Sequence, residues 1–526
     1  MVNPANHRQI SKMPVKLVNI TAVAALAALC LIIAANGMTK PLGRDEQMYC
    51  TAGVLLAQGK TIYSDFSYPS QMPCHPLLYA ALFTTLNTRH YLLVGRATSV
   101  VCDILVVVLI VAIYRRALRP FPNWAISLGL AAAVLYVFNP LVDYANGYAW
   151  NHDVVILCVI LSFWLFARAD SADSPKLWKT AAIGALLTLA ACMRITTALV
   201  HVLFLSFLLA RPAASAKQRL KTVLPFLIAT ALVLLWPAWV ILNACQPFRL
   251  NLFRIPALYG QWLHEIGMVH SKPALMFTCL TTPGYLLLIV TAVCVWLMAF
   301  RQRRKMPASH TRITLLAVLL VAIFFLIALI PPTMWRQYLA MPVPFIIISL
   351  AYPLRHLLSA DHNTSPRRHF HTAAGLLAVS VVVAVVSYPV VLYRAPLLLA
   401  PDSWVPIRLH RIAEEIAEQA QPPKRVLTLA PLFALEGGCS IYPELSAGSI
   451  VYRIADSLTP AERALTHTVG PETLPPLIEH QPPSAVVLGV EMKRLEESLI
   501  ESALKPDAQK WERQVYDDGP VAYFRR

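Results

Sequence analysis

The sequence predicts an α-helical polytopic membrane protein of about eleven transmembrane helices, with a small α/β domain at its C-terminal end. Three observations carry that prediction. Of 526 residues, 57% are hydrophobic and only 14% charged, and the mean hydropathy is +0.57, whereas a soluble domain carries roughly 25% charged residues. Several apolar runs approach the ~20 residues that cross a bilayer. Beyond about Tyr393, Pro, Glu and Arg become common and the apolar runs shorten to strand length. The formal charge of +17 argues little for nucleic acid, because the basic residues lie between apolar runs instead of gathering on one face.

Taken in order, the spans are expected near Leu17–Ala35, Tyr91–Tyr114, Trp124–Phe138, Val154–Phe166, Leu177–Ala190, Ile195–Ala210, Val223–Asn243, Tyr285–Phe300, Ile313–Ile330, Tyr338–Leu350 and Ala373–Val391. The first resembles a signal peptide, but its apolar run exceeds a ~7–15-residue signal core and no small-x-small cleavage site follows, so an uncleaved helix is expected. Charge then sets the topology. Basic residues mark the tail (Arg8, Lys12, Lys16) and every second connection: Arg115, Arg116 and Arg119; Arg168, Lys176 and Lys179; Arg211, Lys217, Arg219 and Lys221; Arg301, Arg303, Arg304, Lys305 and Arg312; Arg355, Arg367 and Arg368. The positive-inside rule makes that side cytoplasmic. The reading is a multi-pass protein of the cytoplasmic (inner) membrane, with residues 1–392 as the membrane domain and 393–526 as an extracytoplasmic one.

In the C-terminal region, SWVPIRLHRIAEEIAEQA from Ser403 has helical periodicity with a polar face. KRVLTLAP from Lys424 and SAVVLGVE from Ser484 read as buried strands, KRLEESLIESAL as a helix, and the last sixteen residues as a hairpin turning at Asp518-Gly519. The ten cysteines show no zinc-ligand spacing. Cys50 and Cys74 share one loop, where an oxidising compartment would allow them to pair.

That loop, the first on the outer side (residues 36–90), carries the densest chemistry. DEQMYCTAGVLLAQG reads as a short helix closed by Gly59, with Asp45 and Glu46 in its first turn. Two readings fit these acids: complementing the helix dipole, or, for Asp45, accepting a proton from a hydroxyl nucleophile. Asp65, flanked by Tyr63, Phe66 and Tyr68, and His75 further on, read as residues that orient the loop or line a pocket. An Asp–His metal site has only two or three ligands to draw on here, so a divalent metal stays open as a cofactor.

Arg44-Asp45-Glu46 just past the first span, a short helix, Tyr-x-Asp-Phe-x-Tyr-Pro from Tyr63 and His-Pro-Leu-Leu-Tyr from His75 together resemble the first outer loop of GT-C type glycosyltransferases. The branch is that of protein O-mannosyltransferases and the lipid A aminoarabinose transferase. Recognisable residues cover 43–83; topology extends the resemblance loosely over 15–350. The resemblance implies inverting transfer of a sugar from a polyprenyl-phosphate-linked donor to a lipid, glycan or protein hydroxyl on the outer face. The first-loop acid would be the base: Asp45, with Glu46 as the second acid of the pair.

A phosphate-linked donor needs cations near the outer boundary. Arg194, at a tight turn inside an apolar double span, either pairs with Asp103, Asp143 or Asp153 or meets that phosphate. Arg336 beside Tyr338 is a second candidate; Arg254 and Lys272, in the aromatic 244–280 loop, are further ones, that loop reading as a surface lid. Asn151 and Asp153 begin an outer helix end, where they cap or join the pocket together with Arg44, Asp65, Tyr68 and His75. The alternative function is a lipid or glycan transporter or flippase without chemistry. It would place charges at span centres and show an internal repeat; Asp103 is the main acid within a span, and no repeat is visible.

Overall fold

The structure, a computed structural model, describes residues 15–170, 176–211, 215–268, 271–301, 306–359, 366–517 and 519–526. Arg8, Lys12, Arg303, Arg304, Lys305 and Asp518 lie outside the described residues.

Each of the eleven expected spans falls on helix. In chain order the membrane half runs α1 (Val15–Thr39), α2 (Arg44–Ala57), α3 (Cys74–Leu86), α4 (Tyr91–Ala117), α5 (Pro122–Val137), α6 (Pro140–Ala145), α7 (His152–Asp170), α8 (Leu177–Met193), α9 (Ala198–Leu209) and α10 (Ala216–Asn243). It continues with α11 (Cys245–Arg249), α12 (Ile255–Glu265), α13 (Lys272–Leu280), α14 (Pro283–Arg301), α15 (Ala308–Leu329), α16 (Val343–Ser349), α17 (Ala351–Leu358), α18 (Pro366–Ser387) and α19 (Val390–Arg394). Among the described residues eight segments are long and apolar enough to cross a bilayer. The other three expected spans are the 16-residue α5, the 17-residue α8 and the 12-residue α9.

The span Arg336–Leu358 is the most enclosed and is broken into a 3-10 turn, α16 and α17. Pro342 and Pro344 at the start of α16 lack the N–H that a continuous helix would need there. Neighbouring helices supply polar contacts across the bundle, as expected where lipid gives no hydrophobic drive for helix association. Tyr114 Oη donates to Ile347 O at 2.8 Å, and the Thr291 and Ser380 hydroxyls lie 2.8 Å apart. α8 meets α10 at Gly184, where a Cβ would sit 2.4 Å from Phe226 O, so only glycine allows the approach.

The loop between α1 and α4 is held by a buried ion pair. Glu46, in the first turn of α2, accepts from Gly43 N at 2.7 Å and from Ala149 N at 2.8 Å. Arg96, one and a half turns into α4, clasps it through Nε and Nη2 at 2.8 and 2.7 Å. The remaining guanidinium hydrogens go to the carbonyls of Gly37, Lys40 and Pro41 at the end of α1. Both side chains are fully buried. One residue pair therefore fixes α1, α2, α4 and the turn before α7. Cys50 and Cys74 are both free, so the disulfide left open by their shared loop is absent. Cys50 faces Tyr91 O at 3.9 Å, and Cys74 neighbours Cys192 instead.

The C-terminal region opens with α20 (Val405–Gln419) and builds a four-stranded sheet from β1 (Val426–Thr428), β2 (Ala485–Leu488), β3 (Trp511–Val515) and β4 (Val521–Arg525). The order is β1-β2-β4-β3, with β1 and β2 parallel and the remaining pairs antiparallel. The short runs that read as buried strands are buried along their whole length. The terminal hairpin is present, its reversal helped by Gly519 at φ +101°. Between the strands lie α21 (Leu432–Leu435), α22 (Ser449–Tyr452), α23 (Pro460–Thr466), α24 (Leu474–His480) and α25 (Lys493–Leu499). This unit sits directly on the first loop: Leu432 N donates to Gln47 Oε1 at 3.0 Å, and Leu92 N donates to Glu436 Oε1 at 2.7 Å.

Glu46→Gln removes the charge opposite Arg96 while keeping its size. Leaving one partner of a buried pair uncompensated costs about 3–5 kcal/mol. The expected outcome is a marked drop in the thermal unfolding midpoint of the purified protein, checked by fluorescence-monitored melting; an unchanged midpoint would overturn the structural role given to the pair.

Candidate active site

A cavity of about 550 Å³ opens beside the N-terminal end of α2. Gly43, Arg44, Asp45, Glu46 and Met48 form one wall, with Pro69, Ser70 and Gln71 from the end of the same loop. Tyr144, Tyr148 and Trp150, around the turn before α7, form a second. Arg194 and the turn between α8 and α9 supply a third; Leu252, Phe253, Pro256 and Tyr259, the end of α15, and Trp335, Gln337 and Tyr338 close it, with Ile450 reaching in from the C-terminal domain. The lining is aromatic with a few convergent polar groups, as small-molecule sites are.

The two acids of α2 part ways here. Glu46 is consumed by Arg96 and two backbone amides, so the catalytic role expected for it is corrected to a structural one. Asp45 is half-buried, lines the cavity, and makes no hydrogen bond or ion pair among the described residues. Burial raises its pKa, opposed by the positive charges of Arg194 and Arg44; the neighbouring Glu46 adds to the rise and Arg453 opposes it. A desolvated, unpaired carboxylate beside cations is a strong proton acceptor waiting for a partner.

Arg194 faces the same cavity. α8 ends at Met193 and a 3-10 turn follows, so the side chain projects from an interrupted helix pair. Its Nη2 donates to Asn151 Oδ1 at 3.0 Å, Nη1 lies 2.8 Å from Met341 Sδ, and the guanidinium sits 5.9 Å from the Tyr338 ring centre. Asn151 in turn donates to Gln71 Oε1 and Met193 O at 3.0 and 2.9 Å. None of the three acids weighed as its partner takes it. Asp103 accepts from Tyr136 and Asn146, Asp143 pairs with Arg394 at 3.1 Å, and Asp153 accepts from Gly147 N at 3.0 Å.

Several other expected site residues lie off the cavity, each for a physical reason. Asp65 staples its own loop by accepting from Thr61 N at 2.6 Å. Tyr68 is buried, its amide donating to Asn251 Oδ1 at 2.9 Å. His75 is enclosed between the rings of Tyr49 and Tyr79 at 5.0 and 4.3 Å, and with Asp65 it joins no group of three or more metal-ligating side chains among the described residues. Asp153 is buried behind the site against Gly147, whose φ of +82° and contact with Gly37 leave no room for a side chain. Arg254 pairs with Glu462 at 3.7 Å on an exposed surface, Lys272 caps α15 through Leu329 O and Pro331 O, and Arg336 is exposed away from the lining while its neighbours Trp335 and Tyr338 face in.

Other contributors were not legible in the sequence. Asn251, fully buried in the π-helical turn Leu250–Arg254, accepts from Ser67 Oγ and Tyr68 N and thereby docks the 244–280 loop on the first one. A polar residue inside an aromatic amphipathic run is the one hint of it. Arg453 of the C-terminal domain lies under the rings of Tyr259 and Trp262 at 5.4 and 4.9 Å. Glu491 sits 3.3 Å from Arg44 and 3.8 Å from Arg453, linking α2 to that domain.

Residues 71–241 match the family model described as dolichyl-phosphate-mannose-protein mannosyltransferase. The whole chain is similar to the crystal structure of ArnT from Cupriavidus metallidurans bound to undecaprenyl phosphate, at 13% identity and a TM-score of 0.62, covering 97% of this chain and 98% of that one. The apo form of the same protein gives 0.59, covering 96% and 97%. The oligosaccharyltransferase of Archaeoglobus fulgidus, tethered to an acceptor peptide, gives 0.50 at 12% identity, covering 96% of this chain and 74% of that one. No curated protein sequence matches significantly. The likeness reaches past residue 350 and includes the C-terminal domain. In fold, and by the family match over 71–241, the chain resembles the GT-C type integral-membrane glycosyltransferases of the protein O-mannosyltransferase and aminoarabinose transferase branch.

Proposed function

We propose that the protein is a membrane glycosyltransferase that moves a sugar from a polyprenyl-phosphate-linked donor to a hydroxyl at the extracytoplasmic face of the cytoplasmic membrane. Residues 1–392 are the catalytic membrane domain and 393–526 the extracytoplasmic one. The observation that carries the reading is Asp45, an unpaired carboxylate in the same cavity as Arg194, a guanidinium without a carboxylate partner among the described residues. The family match and a neighbour of the same fold holding undecaprenyl phosphate support a lipid-linked donor.

The chemistry follows from those two charges. The acceptor hydroxyl oxygen attacks the anomeric carbon, its proton passes to Asp45, and the bond from that carbon to the phosphate oxygen breaks with its electron pair left on the phosphate. Polyprenyl phosphate departs with one more negative charge than it held in the donor. Arg194, already oriented by Asn151, holds that growing charge, and a guanidinium suits phosphate through charge-assisted bonds. Attack opposite the departing phosphate inverts the anomeric centre. The aromatic walls at Tyr148, Trp150, Trp335 and Tyr338 offer faces to the sugar and the first isoprene units.

Asp45→Asn keeps the shape and removes the base. Losing a positioned general base costs about 10²–10⁴-fold in rate, so turnover of a polyprenyl-phosphate sugar by purified protein in lipid falls by that factor while donor binding persists. Equal turnover in variant and wild type would overturn the assignment. Because burial raises the Asp45 pKa, kcat/KM falls with decreasing pH at a midpoint above the ordinary carboxylate range. The sign is that of a base: active deprotonated, lost as pH drops through its pKa. The donor phosphodiester has no second ionisation to mimic that limb, and a pH–rate profile checks it. Orientation has its own reporter, since Cys245 of α11 is the exposed cysteine among the described residues. An impermeant maleimide added outside intact cells labels Cys245; labelling only after lysis would reverse the topology.

A further inference from the structure

Where the C-terminal domain meets the start of α4, three side chains outside the catalytic cavity converge: His90, just before α4, His410 of α20, and Glu436, just after α21. We propose that His90, His410 and Glu436 bind a divalent transition-metal ion of the zinc class, which pins the C-terminal domain to the membrane bundle.

Ligand atoms of the three lie within 4.8 Å of one another. A tetrahedral zinc ion with ~2.0 Å bonds needs its ligands roughly 3.3 Å apart, so the three side chains draw together as the ion binds. The two imidazole rings are already in contact, with centres 3.6 Å apart. His90 Nδ1 is buried without a hydrogen-bond partner, although a buried ring nitrogen ordinarily has one. A metal supplies the missing partner.

The surrounding bonds have the pattern of an outer coordination shell. Glu436 is buried, and one oxygen is held by Leu92 N at 2.7 Å, which leaves the other, Oε2, facing His410 Nδ1 at 2.9 Å. A metal entering there takes the place of the proton shared by those two atoms. The far side of the same ring, Nε2, lies 3.4 Å from Glu414 Oε1. A carboxylate behind a ligating histidine fixes the tautomer and raises the basicity of the ligand nitrogen. Two imidazoles and one carboxylate suit zinc, with water in the fourth position; His90, only half-buried, leaves that position an opening to solvent.

The consequence reaches the active site through α4. Leu92, two residues after His90, is already bonded to Glu436, and Arg96 one turn further on clasps Glu46 next to Asp45. The ion thus stiffens the frame that positions the base, without touching substrate.

The test uses the full-length protein in detergent, stripped with a chelator, desalted and incubated with zinc chloride. Wild type retains one zinc per chain by plasma mass spectrometry and melts at a higher temperature with zinc than without. His90→Ala, a change at a half-exposed side chain, abolishes both effects while remaining monodisperse. Glu414→Gln weakens zinc affinity by about 10–100-fold, as outer-shell changes do. Cobalt added to stripped wild type gives the intense visible bands of a four-coordinate ion, a readout that needs no variant. Equal zinc retention by wild type and His90→Ala, no retention by wild type, or a weak octahedral cobalt spectrum would each overturn the proposal.

Discussion

The ion pair between Glu46 and Arg96 is the constraint on which the cavity end of this protein depends. Both charges are fully removed from water, and every hydrogen of the guanidinium is directed at Glu46 or at a carbonyl of the end of α1 and the turn after it. A buried pair of this kind adds little net stability compared with apolar packing. Its value is geometric: it holds the end of α1, the start of α2, the second turn of α4 and the turn at Ala149 in one arrangement. Asp45 is adjacent in sequence to Glu46, so the same pair determines where the unpaired carboxylate points.

That division between neighbouring acids shows how one carboxylate stays unpaired in a largely apolar cavity. The cost of desolvating Asp45 is offset by three arginines from three parts of the chain, Arg194, Arg44 and Arg453, none of which forms a direct ion pair with it. Direct pairing would lower the basicity of the carboxylate; cations at longer range keep it ionisable yet available. Arg194 itself is steered by a neutral amide, Asn151, so its charge stays uncompensated for an anionic group in the cavity.

The C-terminal domain is built into the site and not simply attached beside it. Ile450 lines the cavity, Arg453 stacks on the aromatic face of α12, and Glu491 bridges to Arg44. Gln47, on the same helix as Asp45, accepts from the backbone of α21. The fold likeness to ArnT over nearly the full length of both chains places this arrangement within a known architecture, while 13% identity leaves the identity of individual site residues to this chain alone.

The sequence by itself determined the helical course of the membrane half, eight of its expected spans being long enough to cross a bilayer, the short helix bearing Asp45 and the strands of the C-terminal sheet, because run length, hydropathy and periodicity are properties of contiguous residues. It also brought Arg194 forward, since an arginine breaking an apolar double span is visible in one dimension. Only the tertiary structure decided that Glu46 is paired while Asp45 is free, that Arg336, Lys272 and Arg254 turn away from the cavity, that Asn251 docks one loop on another, and that Arg453 and Glu491 tie the C-terminal region to α12 and α2. It likewise decided that Cys74 meets Cys192 and that His90, His410 and Glu436 converge. Each of those outcomes depends on a partner dozens to hundreds of residues away. Whether a charge is paired or available is set by which side chain arrives within about 3 Å, and that distance is fixed by packing, not by local pattern.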